Sequence, residues 1–455
     1  MKSHGSPYRS KLIVSVCLVC ALITIAAPKA EAFEDTAERA RIRLACALAS
    51  MASYHDELNV MVETMLRKSG WTAVQYYKVS PEAEAKYTVF RTAENEAFPP
   101  MIILSFTGTE SNMDTSVDVR MHRVPFGGKS PEEFRQTAEQ EKHNGDTPLV
   151  HQGFNDYITA ALFSKPVSAK ESRTMGEYIA DSLKATPDEK LYITGHSLGG
   201  AVAVIAAARL SDMGVAPHQL EVVTFGAPAV ANESFAKAYG DKMRIERVIM
   251  QGDPVKYVFQ AISGGYVQFG EKKYLRPLPE SEHFPHRMVV YLDSILRDYY
   301  DILLKTEAAL PKTDPLTNQP NIPAKIFVAA PMYDLDDVFK SSQPYIEMLL
   351  KDEISSEFEY TVFSKEETNL SNLSRLARAA GCDYVMVQSL EGKRQRFSEN
   401  EFRLTLSESI YDLNGNLLSA SSSSTAITNM TPLEAAAYVY EHNSDARADI
   451  FTATN

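Results

Sequence analysis

Residues 191–205 decide the fold of this chain, and they read Leu-Tyr-Ile-Thr-Gly-His-Ser-Leu-Gly-Gly-Ala-Val-Ala-Val-Ile. The first four residues form an apolar run suited to a buried strand, and the last five form an apolar run suited to a helix. Between them lies the pattern G-x-S-x-G, which is typical of a sharp strand-to-helix turn that exposes a serine. The stretch therefore predicts an α/β fold in which Ser197 is a nucleophile.

The residues around Ser197 in this turn have distinct predicted tasks. A side chain at Gly195 or Gly199 would crowd the neighbouring strand or helix, whereas His196 is the variable residue of the turn and packs beside the site. Ser197 also precedes a helix, whose first amides and dipole favour a developing anion. We therefore expect the amide of Leu198 to be one of two donors that stabilise an oxyanion.

The second oxyanion donor should come from the loop after an early strand. Residues 101–106 have the pattern of such a strand, and they lead into Thr107-Gly108-Thr109-Glu110. Gly108 permits a tight turn, and Thr109 offers both its amide and its hydroxyl. Thr109 is therefore the predicted second donor.

The acid and the base of a serine triad follow the nucleophile in the order Ser, acid, His in this fold class. Asp253 comes just after the predicted strand Arg244–Met250, and open α/β sheets carry their sites at such strand ends. The alternative is a surface turn, since Gly-Asp-Pro favours turns. Of the ten histidines, three follow Asp253. His286, at a predicted loop-to-helix junction, is the expected base; His283 is the alternative, and His442 belongs to a later region.

Strand-like and helix-like segments alternate from residue 86 to residue 305, which predicts a largely parallel sheet covered by helices on both faces. Residues 306–323 are rich in proline and are predicted to be a linker. A second α/β pattern follows, including a hairpin signal at Asn414-Gly415. We therefore expect a larger α/β domain over residues 33–305 and a smaller α/β domain over residues 324–455.

The N-terminus of the chain has the pattern of a targeting segment. Residues 1–32 combine a basic start, an apolar run and the sequence Ala30-Glu31-Ala32. This predicts a secretory signal peptide cleaved after Ala32, because the alternative, a membrane anchor, would need about 20 apolar residues. We expect an exported protein, periplasmic or extracellular. Cys46 and Cys382 could pair in an oxidising compartment, but separate buried thiols are the favoured interpretation.

Composition limits the classes of function. The chain has 455 residues, of which 44% are hydrophobic and 23% charged, and its formal net charge is −13. These values are ordinary for a globular protein of two or three domains. The negative charge argues against a nucleic-acid partner, which would require a basic face.

Four blocks give the region from about residue 37 to 300 a resemblance to the class 3 (fungal-type) lipase family, and they occur in the family's order. They are Ser105–Thr109, Val150–Phe154, Gly195–Gly200 with Val223–Pro228, and Gly252–Val255. His286 also stands ahead of Tyr291-Leu292, as the family's histidine stands ahead of an aromatic residue followed by leucine or isoleucine. The resemblance implies an α/β-hydrolase fold, a triad of Ser197, His286 and Asp253, and no metal or organic cofactor.

The resemblance also implies an activity. An exported serine hydrolase would cleave acylglycerol-type esters through an acyl-enzyme, most directly as a triacylglycerol lipase in contact with a lipid interface. A phospholipase and a short-chain carboxylesterase remain alternatives. Residues 110–129 have the position and mixed polarity of a lid, although an ordinary surface loop is the other interpretation. Two positions depart from the family, which usually has arginine at Thr107 and often has histidine near Gln268.

The C-terminal region carries a separate and fainter resemblance. The run Gly381-Cys382-Asp383-Tyr384 with the following apolar residues, and the hairpin turn after Asp412, resemble the small N-terminal α/β domain of TolB and related envelope proteins. That would imply docking to an envelope protein. A hypothesis of another class follows, in which the whole chain is a catalytically inactive envelope-binding protein.

Overall fold

The structure of the protein is a computed structural model that describes residues 36–54, 62, 66, 70–80, 83–92, 101–108, 122–140, 144–164, 166–168, 171–255, 265–278, 285–305, 322–365, 368–395, 401–427 and 430–452. The predicted signal peptide and most of the predicted linker lie outside these residues. The strands are, in chain order, β1 (Thr72–Val79), β2 (Glu84–Arg91), β3 (Ile102–Phe106), β4 (Arg123–Pro125), β5 (Leu149–His151), β6 (Pro166–Ser168), β7 (Glu171–Thr174), β8 (Leu191–His196), β9 (Leu220–Phe225), β10 (Arg244–Met250), β11 (Glu271–Leu275), β12 (Ile322–Val328), β13 (Met332–Leu335), β14 (Phe358–Phe363), β15 (Tyr384–Arg394), β16 (Phe402–Asp412) and β17 (Leu417–Ile427).

The α-helices lie between and after these strands. They are α1 (Ala37–Ala52), α2 (Pro131–Ala138), α3 (Gln152–Ile158), α4 (Met175–Ala185), α5 (Leu198–Asp212), α6 (Glu233–Tyr239), α7 (Met288–Lys305), α8 (Gln343–Glu357), α9 (Leu370–Ala379), α10 (Pro432–His442) and α11 (Ser444–Thr452). Among the described helices, none has the length and hydropathy that a membrane span requires.

The first sheet has seven strands in the order β1-β2-β3-β8-β9-β10-β11. The five strands from β3 to β11 run parallel, and β1 and β2 add an antiparallel edge. The strands β3, β8 and β9 are buried along their whole length. This is expected for the central strands of a parallel sheet, because helices cover both of its faces. This is the α/β-hydrolase class of fold expected from the sequence, and its parallel strands all end at one edge.

Two separate layers of side chains pack on the two faces of this sheet. One face packs against α1 and α7, and the other packs against α3, α4 and α5. Helix α5 is buried around nearly its whole circumference, which explains why small and aliphatic residues make up most of its sequence. The residue before α5 is Ser197, so the most buried helix of the sheet begins at the predicted nucleophile.

A buried ionic cluster fixes α1 to the sheet. Arg39 pairs with Glu221 at 2.7 Å and also with Glu246. Arg43 pairs with Glu246 at 2.6 Å and with Asp298 of α7 at 2.7 Å. Both guanidinium groups are almost fully buried, and each is hydrogen-bonded to carboxylates, as buried charges require. The cluster therefore joins α1, β9, β10 and α7 in one arrangement.

The second sheet has the order β14-β12-β15-β16-β17, with β13 paired to β15. The first of its strands along the chain, β12, begins at Ile322, which lies at the end of the predicted linker. Its apolar side chains continue the core that lies between α1 and α7. Arg297 of α7 donates to the hydroxyl of Ser342 at 3.0 Å, and Tyr345 of α8 donates to Asp301 at 3.0 Å. The two sheets thus share one hydrophobic core.

Two predicted helices begin later than their sequence pattern suggested. The sequence pattern predicts a helix over Ser172–Ala185, but α4 begins at Met175, because Glu171–Thr174 pairs as strand β7 and Thr174 caps the helix. The pattern also predicts a helix over Leu335–Ile354, but α8 begins at Gln343, after β13 and a short 3-10 turn, and Pro344 lies in its first turn. Proline is tolerated there and would break a helix interior. Both cysteines that follow residue 32 are free and buried.

Candidate active site

Ser197 joins β8 to α5 in a backbone conformation that L-residues avoid. Its φ is 56° and its ψ is −125°, and no other non-glycine residue among those described has a positive φ. Such a conformation costs about 1–3 kcal/mol and persists only where the surrounding structure holds it. The amide of Ser197 donates to the carbonyl of Phe225 at 2.9 Å, and its own carbonyl accepts from the amides of Gly200 and Ala201.

The glycines of the turn are sterically required. A Cβ at Gly195 would lie 2.4 Å from the carbonyl carbon of Gly199, and a Cβ at Gly199 would lie 2.1 Å from the carbonyl oxygen of Phe106. Both contacts are with backbone atoms, which cannot move aside without moving a strand or the helix. The spacing of G-x-S-x-G therefore has the physical cause that was expected from the sequence.

The three predicted triad residues meet beyond the ends of the parallel strands. The hydroxyl of Ser197 lies 2.9 Å from Nε2 of His286, and Nδ1 of His286 lies 2.8 Å from Oδ2 of Asp253. The carboxylate accepts a hydrogen bond from the N–H at Nδ1, and the unprotonated Nε2 can therefore accept a hydrogen bond from the hydroxyl of Ser197. His286 is partly exposed and Asp253 is buried. The alternative base, His283, lies outside the described residues.

Tyr291, which the family pattern placed after His286 without a role of its own, supports Asp253. The hydroxyl of Tyr291 donates to Oδ2 of Asp253 at 2.6 Å and accepts from the amide of Met250 at 3.1 Å. The amide of Val255 donates to Oδ1 of the same carboxylate at 2.8 Å. Burial alone would raise the pKa of Asp253, but the hydrogen bonds from His286 and Tyr291 hold it below its ordinary value. Asp253 is therefore positioned as an anion facing His286.

Gly226 lies beside Asp253, at another position where only glycine fits. Its φ is +58°, and a Cβ there would lie 2.7 Å from Oδ2 of Asp253 and 2.8 Å from the hydroxyl of Tyr291. The sequence Phe225-Gly226-Ala227-Pro228 was one of the blocks that carried the family resemblance. Its glycine leaves room for the acid and for the tyrosine that binds it.

His196 connects the turn to the loop that carries His286. Nε2 of His196 lies 2.6 Å from the carbonyl oxygen of His286, and Nδ1 lies 2.7 Å from the hydroxyl of Tyr54. The carbonyl can only accept, so Nε2 carries the proton and the hydroxyl of Tyr54 donates to Nδ1. Burial, followed by the effect of His286, lowers the pKa of His196 to about 3. His196 is thus a neutral positioning residue that holds the backbone of His286.

No sequence pattern singled out Tyr54, which follows the end of α1. A partly buried tyrosine after the end of a helix is common, and only the fold shows that Tyr54 lies against the turn. A Cβ at Gly108 would lie 2.2 Å from the hydroxyl of Tyr54 and 2.8 Å from the carbonyl of His196. The predicted oxyanion loop therefore packs directly on the Tyr54–His196 pair.

The loop before Thr109 is fixed by hydrogen bonds, although Thr109 itself lies outside the described residues. The hydroxyl of Thr107 donates to the carbonyl of Ser53 at 3.1 Å, and the hydroxyl of Tyr157 donates to the carbonyl of Thr107 at 3.3 Å. The family usually has arginine at the position of Thr107. In this chain the hydrogen bond from the Thr107 hydroxyl to the carbonyl of Ser53 fixes the loop. Leu198 begins α5, and its amide is one of those that start a helix without an intrahelical partner.

A lid, one of the two interpretations left open for residues 110–129, does not fit the last part of this range. Arg123–Pro125 forms strand β4, which pairs with β5, and Phe126 is buried beneath the guanidinium of Arg209 at 3.7 Å. A paired strand and a buried ring do not belong to a movable cover. Residues 110–121 lie outside the described part of the chain.

One further histidine, His151, and one glutamine, Gln268, have structural contacts. His151 is buried, and its Nδ1 accepts from the amide of Phe154 at 3.4 Å, so it caps α3. Gln268, near the position where the family often has histidine, donates to the carbonyl of Ala227 at 3.2 Å. Within the described ranges, no group of three histidine, cysteine or acidic side chains could hold a metal ion.

The buried His196 predicts a specific pH dependence of stability. Its folded pKa of about 3 lies below the unfolded value, so the unfolded chain binds more protons between these values and stability falls as the pH falls. From pH 7 to pH 5, His196 should account for about 2 kcal/mol of lost unfolding free energy. Denaturant unfolding of the wild type and of His196→Gln, at both pH values, measures this. Equal losses in the two proteins would contradict it.

Comparison with known families confirms the resemblance for the central part of the chain. Residues 103–261 match the family described as lipase (class 3). This range contains β3 and the predicted oxyanion loop, the turn at Ser197, and Asp253, whereas His286 lies beyond its end.

Several curated proteins align with shorter stretches. Secreted mono- and diacylglycerol lipase 1 of Fusarium solani is 41% identical over 69 residues, covering 15% of this chain and 20% of its own. Phospholipase A(1) DAD1, chloroplastic, of Arabidopsis thaliana is 26% identical over 162 residues, covering 34% and 33%. Lipase A of Sodiomyces alcalophilus is 28% identical over 199 residues, covering 40% and 44%. The chain thus spans less than half the length of these relatives.

Solved lipase structures align with the chain at low similarity. A crystal structure of lipase from Rhizopus microsporus var. chinensis shares 21% sequence identity, with a TM-score of 0.38 over 52% of this chain and 75% of that one. Over residues 103–261, the chain is similar to the class 3 lipase family.

Proposed function

We propose that the protein is a serine ester hydrolase whose nucleophile is Ser197. The observation that carries this proposal is the pair of hydrogen bonds at His286, 2.9 Å to Ser197 and 2.8 Å to Asp253. These distances lie within the reach that proton transfer requires. The match to the class 3 lipase family over residues 103–261 supports the same chemistry.

In the proposed reaction, Oγ of Ser197 attacks the ester carbonyl carbon while its proton passes to Nε2 of His286. The carboxylate of Asp253 stabilises the imidazolium that forms. The amide of Leu198 and the predicted donor Thr109 stabilise the oxyanion. His286 then protonates the leaving alcohol, and a water molecule that His286 activates releases the acid from the acyl-enzyme.

We further propose that the natural ester is an acylglycerol, so that the protein acts as a lipase. The names of relatives include a mono- and diacylglycerol lipase and a phospholipase A(1), and the second name keeps phospholipids as an alternative. The rival interpretation, an inactive envelope-binding protein, gains no support from the intact triad.

A series of p-nitrophenyl esters from acetate to palmitate tests activity and chain preference together. We expect Ser197→Ala to lower kcat at least about a thousandfold, because the nucleophile is lost. Ser211→Ala, a matched serine near the other end of α5, should retain wild-type activity. A lipase should prefer the longer chains, whereas preference for acetate or butyrate would favour a short-chain esterase. Unchanged hydrolysis by Ser197→Ala would contradict the proposal.

We propose that residues 1–32 direct export and that the mature chain begins at Phe33. The A-x-A end at Ala30–Ala32 supports this, as does the word "secreted" in the names of two fungal relatives. Mass spectrometry of the protein recovered from outside the cytoplasm should find Phe33 at its N-terminus. An intact N-terminus on exported protein would contradict the cleavage.

A further inference from the structure

A cavity of about 270 Å³ lies between the first strands of the seven-stranded sheet and helix α4. We call it the β1–α4 cavity. Its wall is mainly apolar, and the residues that matter here are Val74, Val89, Leu104, Ile179, Leu183 and Leu191. The volume exceeds the roughly 150 Å³ of an apolar cavity that accepts benzene, and it lies just below the range of about 300–1,000 Å³ found for pockets that hold whole drug-sized ligands.

This cavity is separate from the candidate active site. Its wall includes Leu191, which is the first residue of β8, whereas Ser197 follows the last residue of that strand. At about 3.3 Å per residue, the two positions are roughly 20 Å apart along the strand. No residue of the Ser197–His286–Asp253 triad contributes to the wall. The cavity therefore needs an explanation of its own.

One positive charge stands at the end of the cavity. Arg91, the last residue of β2, is exposed and contributes to the wall, and its guanidinium forms no ion pair within the described ranges. The other charged wall residue is Glu189, whose carboxylate accepts a hydrogen bond from the hydroxyl of Thr186 at 2.7 Å. Because the guanidinium of Arg91 forms no ion pair with the described residues, an anionic group at this end would give it a charge-assisted partner.

The β1–α4 cavity is open to solvent at the edge of the sheet. Among the described strands, none lies beyond β1 at this edge, and Val74 on this strand is 50% exposed although it lines the cavity. An exposed apolar residue at the mouth of an apolar cavity allows a chain to continue from the interior to the surface. An elongated apolar ligand therefore fits better than a compact one.

We propose that the β1–α4 cavity binds a single fatty acid, with its alkyl chain among the apolar side chains and its carboxylate near Arg91. The volume suits one alkyl chain and excludes a two-chain lipid. Binding does not depend on hydrolysis at Ser197, although fatty acids are the class of product that the proposed reaction releases. The cavity would then be a second, non-catalytic site for this class of molecule.

Binding of dodecanoate to the Ser197→Ala protein tests the proposal by calorimetry without turnover. Val74→Trp fills the cavity mouth and should weaken binding at least tenfold. Val79→Trp is the matched control, because Val79 is 45% exposed on the same strand and its odd number places it on the opposite face. It should leave binding unchanged. Thermal melting checks that both variants fold.

The charge at Arg91 is tested by comparing dodecanoate with dodecanol, its uncharged counterpart. Arg91→Gln should weaken binding of dodecanoate severalfold and leave dodecanol unaffected. Equal binding of dodecanoate by the Val74→Trp and Val79→Trp proteins would overturn the proposal, because the acid would then occupy the candidate active site or the surface. Absence of binding would overturn it as well. Neither result bears on hydrolysis by Ser197, which the ester series measures separately.

Discussion

The left-handed backbone of Ser197 is the constraint on which the rest of the site depends. A residue with a φ of 56° must be held by its surroundings, and here β8 and α5 hold it from both sides. The helix can approach the strands only because Gly195 and Gly199 lack side chains that would strike backbone atoms. In return, the turn lifts the hydroxyl above the strand ends and places the amide of Leu198 beside it.

The remaining parts of the site are positioned by contacts that converge on this turn. Tyr54 reaches it from α1 through His196, and the same histidine binds the carbonyl of His286. Tyr291 reaches it from α7 through Asp253. The buried ionic cluster of Arg39 and Arg43 fixes α1 against β9, β10 and α7, so distant charges help to set the geometry around the serine.

The sequence predicted the features whose causes are local. The strand Arg244–Met250 was predicted with the bounds that the structure has, because it ends in the apolar run Val248-Ile249-Met250 and a turn signal follows at Gly252. The edge strands β1 and β11 were not predicted, because few of their side chains are buried and neither has the continuous apolar run of a central parallel strand.

Contacts between residues far apart in the chain were beyond such reasoning. Tyr291 was noted only because it helped to choose His286, and its bond to Asp253 depends on how α7 packs on the sheet. Tyr54 had no motif at all, and its contact with His196 spans 142 positions of the sequence. The possible lid over residues 110–129 included β4, because the polarity of these residues carries no information on the pairing of β4 with β5.

A crystal structure of the protein after reaction with an alkyl phosphonate ester would test the role of Ser197 as the nucleophile. We expect a covalent bond from phosphorus to Oγ of Ser197, with the phosphonyl oxygen at about 2.7–3.1 Å from the amide of Leu198. His286 should remain within hydrogen-bond reach of Oγ. Modification of a different residue, or no modification of Ser197 in a folded protein, would contradict it.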